Sequence, residues 1–140
     1  MSYINDYNYG MKSEARVLKT IRHFWNKPNI EKTKDKYSTY DFFDGQIYYE
    51  LKSRKCSSSQ YNTTMIPSGK LYSKYEQILL FDFTDGLYYI KYSPEEFANF
   101  ERRMFESQDR IGMKGNNREY VFIPTNRLIR ICEYRQECLI

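Results

Sequence analysis

The run Asp41-Phe42-Phe43-Asp44-Gly45-Gln46-Ile47-Tyr48-Tyr49-Glu50-Leu51-Lys52 decides how this chain is read. An Asp-Gly pair between aromatic and β-branched stretches signals a two-residue hairpin, because a type I′ turn needs positive φ at both central positions. With Asp44 and Gly45 in the turn, Phe43 faces Gln46, Phe42 faces Ile47 and Asp41 faces Tyr48. Side chains alternate along a strand, so Tyr48, Glu50 and Lys52 share one face, and Asp41 joins them across the ladder. Glu50 and Lys52 are then about 6.5 Å apart along the strand. The Leu51 side chain turns to the opposite face, toward a core, and its backbone carbonyl lies between the acid and the lysine.

Upstream, residues 11–25 are expected to be helical. Val17, Leu18, Ile21, Phe24 and Trp25 recur with helical period and form one apolar stripe. Glu14 lies one turn before Leu18, on the extension of that stripe, where a carboxylate needs a partner or a function. A first-turn acid also complements the helix dipole, so a structural role is the competing explanation. His23 falls on the solvent side. Residues 26–38 are polar, contain Pro28 and read as a connector to a hairpin over about 39–54.

Downstream, residues 55–75 are rich in Ser, Thr and Asn and read as a long connection with room for a short helix. Gln77–Phe83 is an almost unbroken apolar run, suited to a central strand covered on both faces. Asp85-Gly86 is a second hairpin signal leading into a strand over 87–92. Ser93-Pro94-Glu95-Glu96 is a capping box with proline at the first helical position, and Phe97, Phe100, Met104 and Phe105 are expected to be that helix's buried stripe. Residues 107–118 read as a polar loop, and 119–123 and 128–134 as the last strands, split by Pro124. The order is helix, hairpin, strand, strand, helix, strand. That predicts one α/β (α+β) domain over residues 1–140, with helices packed on a mixed sheet.

Composition narrows the chemistry. The chain has 140 residues, a formal charge of +4 and 15 tyrosines. Most of those tyrosines suit strands, and they also suit stacking on bases. From Leu51 to Tyr75 there is no acid, but there are Lys52, Arg54, Lys55, Lys70 and Lys74, a one-sign stretch that suits a phosphate backbone or forms a solvated basic loop. Cys56, Cys132 and Cys138 make no metal-binding spacing and no even disulfide set, which points to a reducing, intracellular setting. One histidine disfavours histidine-pair mechanisms and histidine-rich zinc sites. No apolar leader and no membrane-length run is visible, so a soluble protein with no membrane partner is expected.

Converging carboxylates bind a hard divalent cation, Mg²⁺ or Mn²⁺. Such a cation lowers the pKa of an attacking water and neutralises charge on a phosphodiester, and a neighbouring lysine orients or deprotonates that water. Asp41, Glu50 and Lys52, with the Leu51 carbonyl, make that set. An Asp followed by Glu-x-Lys on the next strand resembles the active-site signature of the PD-(D/E)xK nuclease superfamily, which includes restriction endonucleases, Holliday junction resolvases and phage-type exonucleases. Glu50 and Lys52 match its Glu-x-Lys, Asp41 its preceding acid, and Glu14 the glutamate that many members carry on the N-terminal helix. Position 40 is tyrosine where the nominal motif has proline, a departure shared by many members. Asp41 is preferred over Asp44 as the ligand, since the turn commits Asp44 to the hairpin tip.

The resemblance implies a restriction endonuclease-like αβββαβ core over about 11–123. It also implies Mg²⁺- or Mn²⁺-dependent cleavage of DNA, less often RNA, with Asp41, Glu50, Glu14 and the Leu51 carbonyl as metal ligands and Lys52 as catalytic cation. Arg54, Lys55, Gln60, Lys70 and Lys74 are the candidate nucleic-acid contacts; surface positions are expected for Gln60, Lys70 and Lys74. Two other classes compete. One is a catalytically silent nucleic-acid-binding module on the same fold; the other is a partner-binding protein with an aromatic surface. Junction cutting takes two active sites and hence a twofold homodimer. The lysine-, asparagine- and tyrosine-heavy composition hints at an AT-rich genome of viral or phage kind.

Overall fold

The computed structural model describes residues 3–34, 40–72, 74–108 and 114–131. It is a mixed α+β arrangement, mostly strands, with two helices among the described residues. The first, α1, is Tyr3–Phe24. It starts before the expected residue 11, because the tyrosines and asparagines of its first turns carry no clear apolar period. It ends in a Schellman motif. Asn26 takes φ 51° and its N–H reaches His23 O at 3.2 Å, while Lys27 N–H reaches Arg22 O at 2.9 Å, and Pro28 follows.

The strands are β1 (Glu31–Lys32), β2 (Phe42–Phe43), β3 (Ile47–Ser53), β4 (Thr63–Pro67), β5 (Glu76–Phe83), β6 (Gly86–Lys91), β7 (Glu101–Gln108), β8 (Lys114–Pro124) and β9 (Ile129–Ile131); the second helix, α2 (Pro94–Phe97), lies between β6 and β7. They form a six-stranded sheet, β1-β2-β3-β5-β6-β9, and a three-stranded sheet, β4-β8-β7. Among the described residues only β3 and β5 pair in parallel, so the larger sheet is mixed. β5 is central and its two faces separate the cores. Ile78 and Leu80 pack with Val17, Ile21, Phe42 and Tyr49 on the α1 side. Leu79, Phe81 and Phe83 pack with Ile66, Val121, Ile123 and Phe97 on the side of the smaller sheet. The result is three layers, helix on sheet on sheet, in which an unbroken apolar strand is the expected middle element.

Several expectations fail at this level. The hairpin pairs Phe42 with Tyr49 and Phe43 with Tyr48, two residues away from the expected register. The Asp44 carboxylate accepts from the amides of Gln46 at 2.9 Å and Ile47 at 2.7 Å, while Asp44 N–H bonds Ile47 O at 3.2 Å. That Asx cap moves the turn onto Gly45-Gln46, and positive φ falls on Gly45 (98°) and not on Asp44. Because the slip is even, every side chain keeps its face. In the second hairpin Phe83 pairs with Gly86, so the loop residues are Thr84 and Asp85.

The expected long helix after Ser93 stops after one turn. The Ser93 cap forms, but Met104 and Phe105 lie exposed on β7, at 59% and 40%. Residues 101–104 are good helix formers, yet pairing along the long strand β8 overrides local propensity. Residues 55–75 hold β4 and a 3₁₀ turn, Ser68–Lys70, in place of a bare loop. β8 begins at Lys114, so the expected loop over 107–118 is partly strand, with 109–113 outside the described residues. Of the expected strand over 128–134, residues 129–131 are β9; 132–134, with Cys132 and Cys138, also lie outside the described residues. Among the described residues no helix is long and apolar enough to cross a membrane.

Candidate active site

β2 is only two residues long, so β3 outruns it, and Glu50 to Ser53 pair with β5 on one side alone. Asp41 sits in the gap. Its N–H donates to Tyr49 O at 3.0 Å, its carbonyl accepts from Thr33 N–H at 3.0 Å, and its Oδ2 accepts from Leu51 N–H at 2.7 Å. A side-chain carboxylate thus takes the place that a backbone carbonyl of a longer β2 would hold. Glu50, 4% exposed in its side chain, projects on the face away from α1, with Oε1 3.4 Å from Lys52 Nζ and 3.6 Å from Lys70 Nζ. The Leu51 side chain packs on the α1-side core, as its position in the alternation requires.

The two acids are both held toward their neutral forms. Burial, then the negative charge of Asp41, pushes Glu50 up to about 6, against the pull of Lys52 and Lys70. Burial raises Asp41 as well; the Leu51 amide pulls it down, and the charge of Glu14 adds to the rise. Crowded carboxylates that titrate high are a site short of positive charge.

Glu14 is near enough to act on Asp41 electrostatically, and its own Oε2 lies 2.8 Å from Lys32 Nζ. That contact is an ion pair lacking hydrogen-bond alignment, since Oε2 is buried without a hydrogen-bond partner. Asp44 is committed elsewhere, at the hairpin tip, where Oδ2 also takes Lys27 Nζ at 3.0 Å and Tyr49 Oη at 2.8 Å. Among the described residues no three of His, Cys, Asp and Glu are gathered closely enough to hold a metal ion.

The expected nucleic-acid contacts divide. Arg54 follows Lys52 on the same face but is used structurally: its guanidinium donates to Thr64 Oγ1 at 3.2 Å and to Met65 O at 2.5 Å, and lies over the Phe81 ring. It ties β3 to β4, and burial lowers its pKa. Lys55, Gln60 and Lys74 are exposed, with Lys74 Nζ 6.0 Å from the Tyr75 ring centroid. Lys70, expected at the surface, instead stands at Glu50.

The residue that puts Lys70 there is Gln77, almost fully buried. Its Nε2 donates to Lys70 O at 2.5 Å and its Oε1 accepts from Tyr72 N–H at 3.1 Å, so one amide fastens the 70–72 segment to the sheet beside β3. A polar residue opening an apolar strand was the only trace of this in the sequence. A second polar cluster, Asp82 with Ser13 (2.8 Å) and Arg16, joins α1 to β5 on the opposite face of the sheet and ties the helix to the layer beneath. Comparison with protein-family models, with characterised proteins and with solved structures finds no match to this chain.

Proposed function

We propose that this chain is a metal-dependent nuclease with a restriction endonuclease-like core, hydrolysing phosphodiester bonds, those of DNA foremost. The observation that carries this is the pair of carboxyls, buried Glu50 and half-buried Asp41, at the unpaired end of β3, with the Lys52 ammonium 3.4 Å from Glu50. The order α1, β2–β3 hairpin, then β5 parallel to β3 is consistent with the core that the resemblance implies.

The donor chemistry fits Mg²⁺ or Mn²⁺: hard anionic oxygens, crowded enough that both carboxyls resist ionising alone. When bound, that ion lowers the pKa of the attacking water and neutralises charge on the phosphoryl oxygens. Asp41 and Glu50 would hold it. The Leu51 carbonyl leaves β3 on the same edge as its N–H, the Asp41 side, and would be the backbone ligand. Glu14, which acts on Asp41 through its charge, would join them only by leaving Lys32 and moving closer, since no three acids are gathered around one point among the described residues. Lys52 would orient a water for attack on phosphorus: the new P–O bond forms as the P–O bond to the sugar breaks, the water's proton passes to solvent, and the departing sugar oxygen takes a proton from solvent. Lys70 sits where it can meet a phosphate oxygen on leaving Glu50.

Divalent-dependent cutting of labelled DNA tests the reading. Cutting stops in chelator and in Glu50→Gln and Lys52→Ala; wild-type rates in those variants would refute the assignment. The Lys32–Glu14 pair favours a second reading, a silent module that binds nucleic acid without cutting it. Equal DNA binding in Mg²⁺ and in chelator, with no fragments released, would select that reading.

A further inference from the structure

Five aromatic rings pack together beside Glu50 and belong to neither hydrophobic core. Tyr48 is sandwiched between Phe43, at 4.3 Å between centroids, and Tyr40, at 4.0 Å. Tyr72 meets Tyr40 edge-on at 5.5 Å, and Tyr75 meets Tyr48 edge-on at 5.2 Å. The cluster adjoins the carboxylate site directly. Tyr48 is two residues before Glu50 on the same face of β3, and Tyr40 directly precedes Asp41 in the chain. Its outermost ring, Tyr75, is 46% exposed and carries Lys74 over it. An apolar core does not need four phenols on a half-open face. A chain of unpaired bases does need aromatic surface to stack on, with ammonium groups beside it for the phosphates.

We propose that this aromatic cluster, with Tyr75 as its stacking face and Lys74 and Lys70 as its phosphate contacts, takes unpaired nucleotides and delivers a single-stranded segment to Glu50 and Asp41. Bases in a duplex are already stacked and cannot offer a face to Tyr75; unpaired bases can. This deepens the nuclease reading by naming its substrate class, and it rests on that reading only for the delivery to Glu50.

The test is binding, measured in chelator so that no cutting is involved. A fluorescein-labelled oligothymidylate and a hairpin duplex of equal length are titrated by anisotropy with the full chain. The single strand is expected to bind more tightly than the duplex. Tyr75→Ala weakens the single strand by about five-fold or more and leaves the duplex unchanged, while Tyr75→Phe, which keeps the ring, binds as wild type. The salt dependence stays the same in Tyr75→Ala and flattens in Lys74→Ala, separating stacking from charge. Single-strand affinity within about two-fold of wild type in Tyr75→Ala, or equal losses on both ligands, would overturn the proposal. Cleavage assayed separately with Mn²⁺ keeps the two readings apart. Cutting without a Tyr75 effect on binding removes this inference alone; Tyr75-dependent binding without cutting removes the nuclease alone.

Discussion

Asp44 at the tip of the hairpin and Asp41 at its base are three residues apart, and the fold treats them in opposite ways. Asp44 gathers the amides of Gln46 and Ile47, the Tyr49 hydroxyl and the Lys27 ammonium, and its carboxyl drops to about 2 although burial opposes this. Asp41 has the Leu51 amide against burial and the charge of Glu14, and rises, as its neighbour Glu50 does. The first is a saturated anion that stabilises a turn. The second belongs to a crowded pair whose ionisation costs stability. Donors saturate the structural carboxylate, whereas the candidate site leaves its acids under-compensated.

The contrast is broken most sharply by activity. Asp41→Asn or Glu50→Gln is expected to lower divalent-dependent cleavage by about 100-fold or more, while Asp44→Asn stays within a few-fold at temperatures where it is folded. Comparable losses at tip and base, measured as single-turnover rates, would erase the distinction.

Stability separates them next. Asp44 is 2% exposed in its side chain, and lowering its carboxyl from 3.8 to about 2 corresponds to about 2 kcal/mol. Its contribution is complete above the ordinary carboxylate range and is lost as pH falls through about 2. Urea midpoints should therefore show Asp44→Asn about 2 kcal/mol less stable at pH 7, with the gap closing below about pH 4.

Glu50 runs the other way. A folded value near 6 against 4.5 means the native state holds its proton longer than the unfolded chain does. Its cost is absent below the ordinary value and complete above about 6. Glu50→Gln is expected to raise stability at pH 7–8 by about 1–2 kcal/mol, less whatever Lys52 and Lys70 lose with their partner. Mn²⁺ should raise the wild-type melting temperature at that pH and leave the variant's unchanged. A wild-type melting curve indifferent to Mn²⁺ would count against a bound cation.

The smallest effect belongs to the turn itself. A Cβ at Gly45 meets nothing within 4 Å, so Gly45→Ala pays only for positive φ. Thermal melts should place it about 1 kcal/mol below wild type, with cleavage intact.

Much of this was legible in the chain, and the failures have physical causes. Alternation put Tyr48, Glu50 and Lys52 on one face even though the register was wrong, because a slip of two residues preserves facing. The apolar run of β5 announced a strand buried on both sides. The helix expected through Phe105 was misread, since a capping box fixes where a helix starts and not how far it goes; β8 supplied a partner that local propensity cannot foresee. Lys70 looked like a surface residue because the Gln77 amide that fastens its segment acts across the chain fold.

The residues alone determined the carboxylates, the lysine and the face they share, because period-two alternation is a local property of a strand. Which acid is saturated and which is left crowded was decided only in three dimensions. Protonation depends on burial and on donors brought from distant segments, such as Lys27 to Asp44 and Lys70 to Glu50, and no local pattern encodes those distances.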